Sequence, residues 1–127
     1  MLHVLMIDDD PIFNLIYSRL IVKLNIKAEI TTHLDGEDGL NYLQSKLGKN
    51  HQFILFLDIN MPIMDGWDFL TKIENADICK QNMIIYLISS STDEEDFQKA
   101  SKFKSVKKML SKPLLMETIK EIFEDHL

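Results

Sequence analysis

Five short apolar runs, each followed by a longer segment whose apolar residues recur at helical spacing, restrict this 127-residue chain to few folds. Strands and helices in strict alternation put successive strands into parallel pairing, because each helix carries the chain back to the end where the next strand starts. His3 to Ile7 reads as the first strand and Lys27 to Thr32 as the second. Phe53 to Leu57 and Met83 to Ile88 are apolar throughout, as expected of strands covered by helices on both faces. Val106 to Leu110 is interrupted by lysines and is expected at a sheet edge. The first helix opens at Pro11, with Asp10 as a candidate cap and Ile12, Ile16 and Leu20 on one face. A second helix carries Leu40, Leu43 and Leu47 and stops near Gly48; a third begins near Asp65 and carries Trp67, Leu70 and Ile73. Thr92 and Glu95 have the spacing of a capping box for a fourth, and Leu115, Ile119, Ile122 and Phe123 form the stripe of a fifth.

That pattern occupies the whole chain, with no Pro/Gly/Ser linker or low-complexity stretch, so residues 1–127 are expected to form one domain with no output domain beside it. Fourteen Lys+Arg against twenty Asp+Glu give a net charge of -6, the wrong sign for wrapping nucleic acid or coating an anionic membrane. The single cysteine, Cys79, cannot pair within the chain, the opening reaches Asp8 to Asp10 before it could act as a secretory apolar segment, and the six-residue run "MIIYLI" is too short to cross a bilayer. A cytoplasmic protein is expected.

Asp58 directly follows the apolar run of the third strand, where desolvating a carboxylate is expensive. In a doubly wound sheet, ligands bind outside the carboxyl ends of the strands, and the residues that stand there are Asp8 and Asp9, Asp58, Ser89 and Lys112. Three carboxylates brought together resist full ionisation unless a cation enters. An all-oxygen set that leaves positions for water and phosphate oxygens suits Mg²⁺ better than Ca²⁺. Lys112 supplies a point charge for a phosphate oxygen and Ser89 a hydroxyl donor. With Asp8 and Asp9 placed to hold the ion, Asp58 is the carboxylate free to attack a phosphoryl group in line and become an aspartyl phosphate.

"IDDDP" after the first strand, "FLDINMPIMDGW" about the third, "LISSST" after the fourth and "SKPL" after the fifth together resemble the receiver domain of two-component response regulators, in particular the stand-alone, chemotaxis-regulator-like kind. The resemblance implies a flavodoxin-like (βα)5 sandwich with strand order 2-1-3-4-5. It implies phosphorylation of Asp58 by a histidine kinase or phosphotransfer protein, with Mg²⁺ held by Asp9, Asp58 and the backbone carbonyl of Asn60, and by Asp8 mainly through water. Lys112 would contact the phosphoryl group, Ser89 would swing toward it as the switch hydroxyl, and Lys112-Pro113 would be a cis bond. Pro62 and Gly66 resemble the turn after the acceptor. The position three before the lysine, usually Tyr or Phe, is Met109 here, while Asn60 and Ser91 fall where the family tunes the lifetime of the phosphoryl group.

Each of these residues also has a plainer role open to it. Asp8 to Asp10 could be a solvated helix cap, Ser89 to Ser91 a polar turn and Lys112 a surface lysine, but only a phosphoryl site accounts for all of them at once. His3, His33, His51 and His126 lack ligand spacing, and Trp67 and Phe69 are expected to pack. Lys99, Lys102, Lys104, Lys107, Lys108 and Lys112 gather near the fourth helix and fifth strand, either as a solvated face or as an output surface for an acidic partner. A relay intermediate, which would pass the phosphoryl group onward to a histidine, is not separable from a terminal switch by sequence. Two further functions fit less well: a Mg²⁺-dependent phosphohydrolase would need a second carboxylate two residues after the nucleophile, where this chain has Asn60, and a pseudo-receiver would not be expected to keep the acids and the lysine.

Overall fold

The computed structural model describes residues 1–48, 50–76, 78, 82–90 and 93–126, with the side chain of His126 outside the description. Along the chain come β1 (Leu2–Ile7), α1 (Pro11–Lys23), β2 (Glu29–His33), α2 (Gly36–Lys46), β3 (Gln52–Asp58), α3 (Gly66–Asn75), β4 (Met83–Ser89), α4 (Glu94–Ala100), β5 (Val106–Ser111) and α5 (Met116–His126). The strands are parallel in the order β2-β1-β3-β4-β5. The lysine-interrupted strand is an edge, as its composition requires.

Alternation along the strands sorts the core into two layers. Leu5, Ile7, Phe53, Leu55, Leu57, Ile85 and Leu87 face α2 and α3, whose Leu40, Leu43, Phe69, Leu70 and Ile73 cover them. Val4, Met6, Ile54, Phe56, Tyr86, Ile88 and Leu110 point the other way, against Phe13, Tyr17 and Ile21 of α1 and Ile119, Ile122 and Phe123 of α5. No helix among the described residues is long and apolar enough to cross a membrane.

Two stripes expected from sequence lie elsewhere. Ile12 and Ile16 of α1 are 65% and 49% exposed, and the buried face is Phe13, Asn14, Tyr17 and Ile21. Both sets have helical spacing; what selects the second is Tyr17, whose hydroxyl accepts from Leu114 N–H at 3.0 Å and lies 3.3 Å from the Leu114 carbonyl. Leu115 is likewise exposed, and Leu114 is buried in its place. Asp10 caps α1 by accepting from Ile12 N–H at 2.9 Å, and Asp65 and Asp68 form a reciprocal capping box on α3. The cap of α4 is Asp93, which accepts from Glu95 N–H at 3.1 Å; Thr92, together with Cys79 and Ser91, lies outside the described residues. Two histidine positions are built into the β1–β2–α2 side: His3 Nε2 lies 2.9 Å from His51 Nδ1, and His33 Nδ1 lies 2.7 Å from Asp38.

Ile63, in the loop after β3, has φ +69° and is 78% exposed. A β-branched residue in the left-handed region carries about 1–2 kcal/mol of strain that asparagine largely avoids. Ile63→Asn is therefore expected to stabilise the fold by about 1 kcal/mol, read as a higher urea midpoint at unchanged slope. A lower midpoint would mean that the isoleucine side chain makes contacts that outweigh its backbone strain.

Candidate functional site

Register places the acids. Ile7 pairs with Leu57, so Asp8 and Asp58 stand level at the carboxyl ends of adjacent strands. Asp58 pairs with Ile88, and Ser89 with Ser111, which sets Lys112 one residue beyond β5 at the same end. Asp8, Asp58 and Lys112 have the parity of Met6, Phe56 and Leu110, so their side chains continue one face of the sheet, while Ser89 continues the other.

Ligand atoms of Asp8, Asp9 and Asp58 lie within 4.8 Å of one another; Asp8 and Asp58 are buried and Asp9 is exposed. Lys112 Nζ is 2.7 Å from Asp8 Oδ2 and 3.7 Å from Asp58 Oδ1, and it sits 4.5 Å above the ring of Phe13. The other Asp8 oxygen, Oδ1, accepts from Asp10 N–H at 2.9 Å. Asn14 Nδ2 donates to the Asp8 carbonyl at 2.9 Å and to the His33 carbonyl at 3.3 Å. Neither Phe13 nor Asn14 was expected at the site. The only hint in the sequence is a polar, poor helix former at position 14 within the apolar segment "PIFNLI".

Burial at 4% exposure, with Asp8 beside it, pushes the Asp58 carboxyl from 3.8 up to about 6; Lys112 and the Asn60 backbone N–H act in the opposite direction and Asp9 adds to the rise. Burial works against the charge on Lys112, but its hydrogen bond to Asp8 and the charges of Asp58, Asp8 and Asp9 outweigh it and raise its pKa. Among the described residues one lysine thus faces three acids and does not balance them. This excess of negative charge on hard oxygen donors fits a divalent cation such as Mg²⁺.

Ser89 is fully buried, and its carbonyl accepts from Lys112 N–H at 2.9 Å, tying the end of β4 to the residue after β5. Lys112-Pro113 is a cis bond. Met109 is partly buried against the layer that faces α2 and α3. Gly66 is required in the loop after Asp58: a Cβ there would lie 2.7 Å from the Asp58 carbonyl oxygen and 2.9 Å from Ile59 Cα, while Gly66 N–H donates to the Ile59 carbonyl at 2.8 Å.

Residues 4–124 match the family described as response regulator receiver domain. The chain is 28% identical over 123 residues to a probable chemotaxis protein CheY of Rhizobium etli, covering 97% of this chain and 90% of that one. It is 25% identical over 124 residues to the probable methanogenesis regulatory protein FilR2 of Methanothrix harundinacea, across 96% of this chain and 79% of that one. The crystal structure of a two component response regulator from Cytophaga hutchinsonii superposes with a TM-score of 0.83 at 29% identity, covering 98% of this chain and 96% of that one.

Proposed function

Because this chain belongs to the response regulator receiver domain family, the phosphorylation-controlled signalling switches of two-component systems, we propose that Asp58 is its phosphoacceptor and that a protein-protein surface reads the result. The observation that carries this reading is the meeting of Asp8, Asp9 and Asp58 within 4.8 Å. An Asp58 oxygen attacks the phosphorus of a donor phosphohistidine, the P–N bond breaks, and the imidazole leaves with the bonding pair and takes up a proton. Lys112, already 3.7 Å from Asp58, takes the charge of a phosphoryl oxygen. Asp9, Asp58 and the Asn60 carbonyl would hold Mg²⁺, which when bound offsets the charge gathered on the phosphoryl oxygens. Both oxygens of Asp8 already have partners, which supports a ligand role for it through water. The chain's own residues therefore accelerate phosphoryl uptake, without turnover of a substrate. Ser89 is the candidate switch hydroxyl, with Met109 in place of the usual aromatic.

A histidine kinase or phosphotransfer protein is the proposed donor. Ile12, Leu15 and Ile16, exposed on α1 shortly after the acids, support docking of that donor at this end of the sheet. The proposed output surface is the α4–β5 side, where Lys104, Lys107 and Lys108 are exposed and Trp67 stacks on Phe103 with centroids 5.9 Å apart, Lys99 Nζ lying 4.7 Å above the indole. Trp67 gives this reading its test. Acetyl phosphate with Mg²⁺ is expected to change its fluorescence saturably, with no change in EDTA; an emission indifferent to the donor would count against a switch read on that side. Charge reversal at Lys104 and Lys107 is expected to weaken capture of the phosphorylation-dependent partner severalfold while leaving uptake from acetyl phosphate unchanged; equal capture would move the output surface elsewhere.

A further inference from the structure

Asn14 is 1% exposed on α1, a position where an apolar residue of similar volume would pack without polar cost. Its Oδ1 has no hydrogen-bond partner among the described residues, a destabilising condition for a buried acceptor. The amide is used only as a donor: Nδ2 gives hydrogen bonds to the Asp8 carbonyl at 2.9 Å and the His33 carbonyl at 3.3 Å. The same His33 carbonyl accepts from Asp8 N–H at 3.0 Å. Both polar backbone groups of Asp8 are therefore fixed, one by the end of β2 and the other by Asn14. The Asp8 carbonyl belongs to the planar peptide unit that continues to Asp9, so holding that oxygen holds the plane from which both carboxylates depart.

We propose that Asn14 is a positioning residue for the cation site: its Nδ2 orients the Asp8–Asp9 peptide so that the two carboxylates face Asp58. This rests on the reading of the acids as a Mg²⁺ site and adds the element that holds their geometry. Partners one step behind metal ligands commonly set affinity by about 10–100-fold. Asn14 also borders an open surface groove with Pro11, Leu15, Leu34 and Asp35. Histidine, whose Nδ1–H stands at the same distance along the side chain as Nδ2–H, is the replacement that keeps the donor.

The test is calorimetric Mg²⁺ titration of the full chain well below its melting temperature, with melts in EDTA alongside. Asn14→Leu is expected to weaken Mg²⁺ binding at least about tenfold, and Asn14→His to bring it back to within a few-fold of the unsubstituted chain. Should Asn14→Leu fail to fold, Asn14→Ala removes the donors without bulk and carries the same comparison. If the leucine or alanine variant melts lower yet binds Mg²⁺ within twofold, Asn14 only knits β1 to β2 and the proposal is overturned. Affinity lost equally in the histidine variant would also overturn it. A parent chain that binds no Mg²⁺ would instead remove the cation-site reading beneath it.

Discussion

Lys112→Ala is expected to slow formation of the Asp58 phosphoryl adduct by about 10²–10³-fold, the usual effect of removing one preorganised group that meets developing charge. Lys112 Nζ lies between Asp8 Oδ2, at 2.7 Å, and Asp58 Oδ1, at 3.7 Å. It already stands where a phosphoryl oxygen on Asp58 would need a cation. Its raised pKa keeps it charged throughout the range in which Asp58 titrates. Lys112→Arg is not expected to restore the rate, because a planar, forked guanidinium does not reproduce a compact ammonium held above the Phe13 ring. Time-resolved intact mass with acetyl phosphate and saturating Mg²⁺ measures this directly. A rate within fivefold of the parent would show that Lys112 serves only the fold.

Asp58→Asn is expected to stabilise the metal-free chain while abolishing phosphoryl uptake. The Asp58 carboxyl is raised from 3.8 to about 6 by burial and by Asp8. A carboxyl whose folded pKa is raised favours the fold in its protonated form. Its contribution is therefore present below pH 3.8 and is lost as pH rises through about 6. A shift of that size corresponds to about 3 kcal/mol of native-state cost for the ionised form. Asparagine keeps the shape without the charge, so in EDTA at pH 7.5 the variant is expected to gain about 2–3 kcal/mol, or roughly 5–10 °C in Tm. The gap should close as the pH falls from 6 toward 4. Added Mg²⁺ should raise the Tm of the parent by mass action and that of the variant much less. A variant less stable than the parent in EDTA above pH 6.5 would mean that Asp58 is not held at an electrostatic cost.

The same physics separates what could be read in the sequence from what could not. Phe53–Leu57 and Met83–Ile88 were legible as central strands because both faces are apolar, and parallel register then carries Asp8, Asp58, Ser89 and Lys112 to one end without further information. The inward stripe of α1 was not legible: Ile12, Leu15 and Ile16 have the same helical spacing as Phe13, Tyr17 and Ile21, and what distinguishes the second set is tertiary, the distant Leu114 backbone bonded to Tyr17 and Lys112 above Phe13. Leu115 exchanged places with Leu114 for the same reason, since both adjoin the start of α5 and only one meets a partner. Phe13 beneath Lys112 is a tertiary relation between segments far apart in sequence, and Asn14 reaches back six residues to the Asp8 carbonyl and across to the end of β2 through a strand-to-helix turn, which helical spacing does not encode.

The most direct test of the central claim, that three crowded acids and Lys112 form a cation-assisted phosphoacceptor on Asp58, is intact mass after incubation with acetyl phosphate and Mg²⁺, followed by reductive trapping and peptide mapping. One phosphoryl adduct at Asp58, absent in EDTA and in Asp58→Ala, is the predicted result. An adduct that persists in Asp58→Ala, or that forms equally well without a divalent ion, would contradict it.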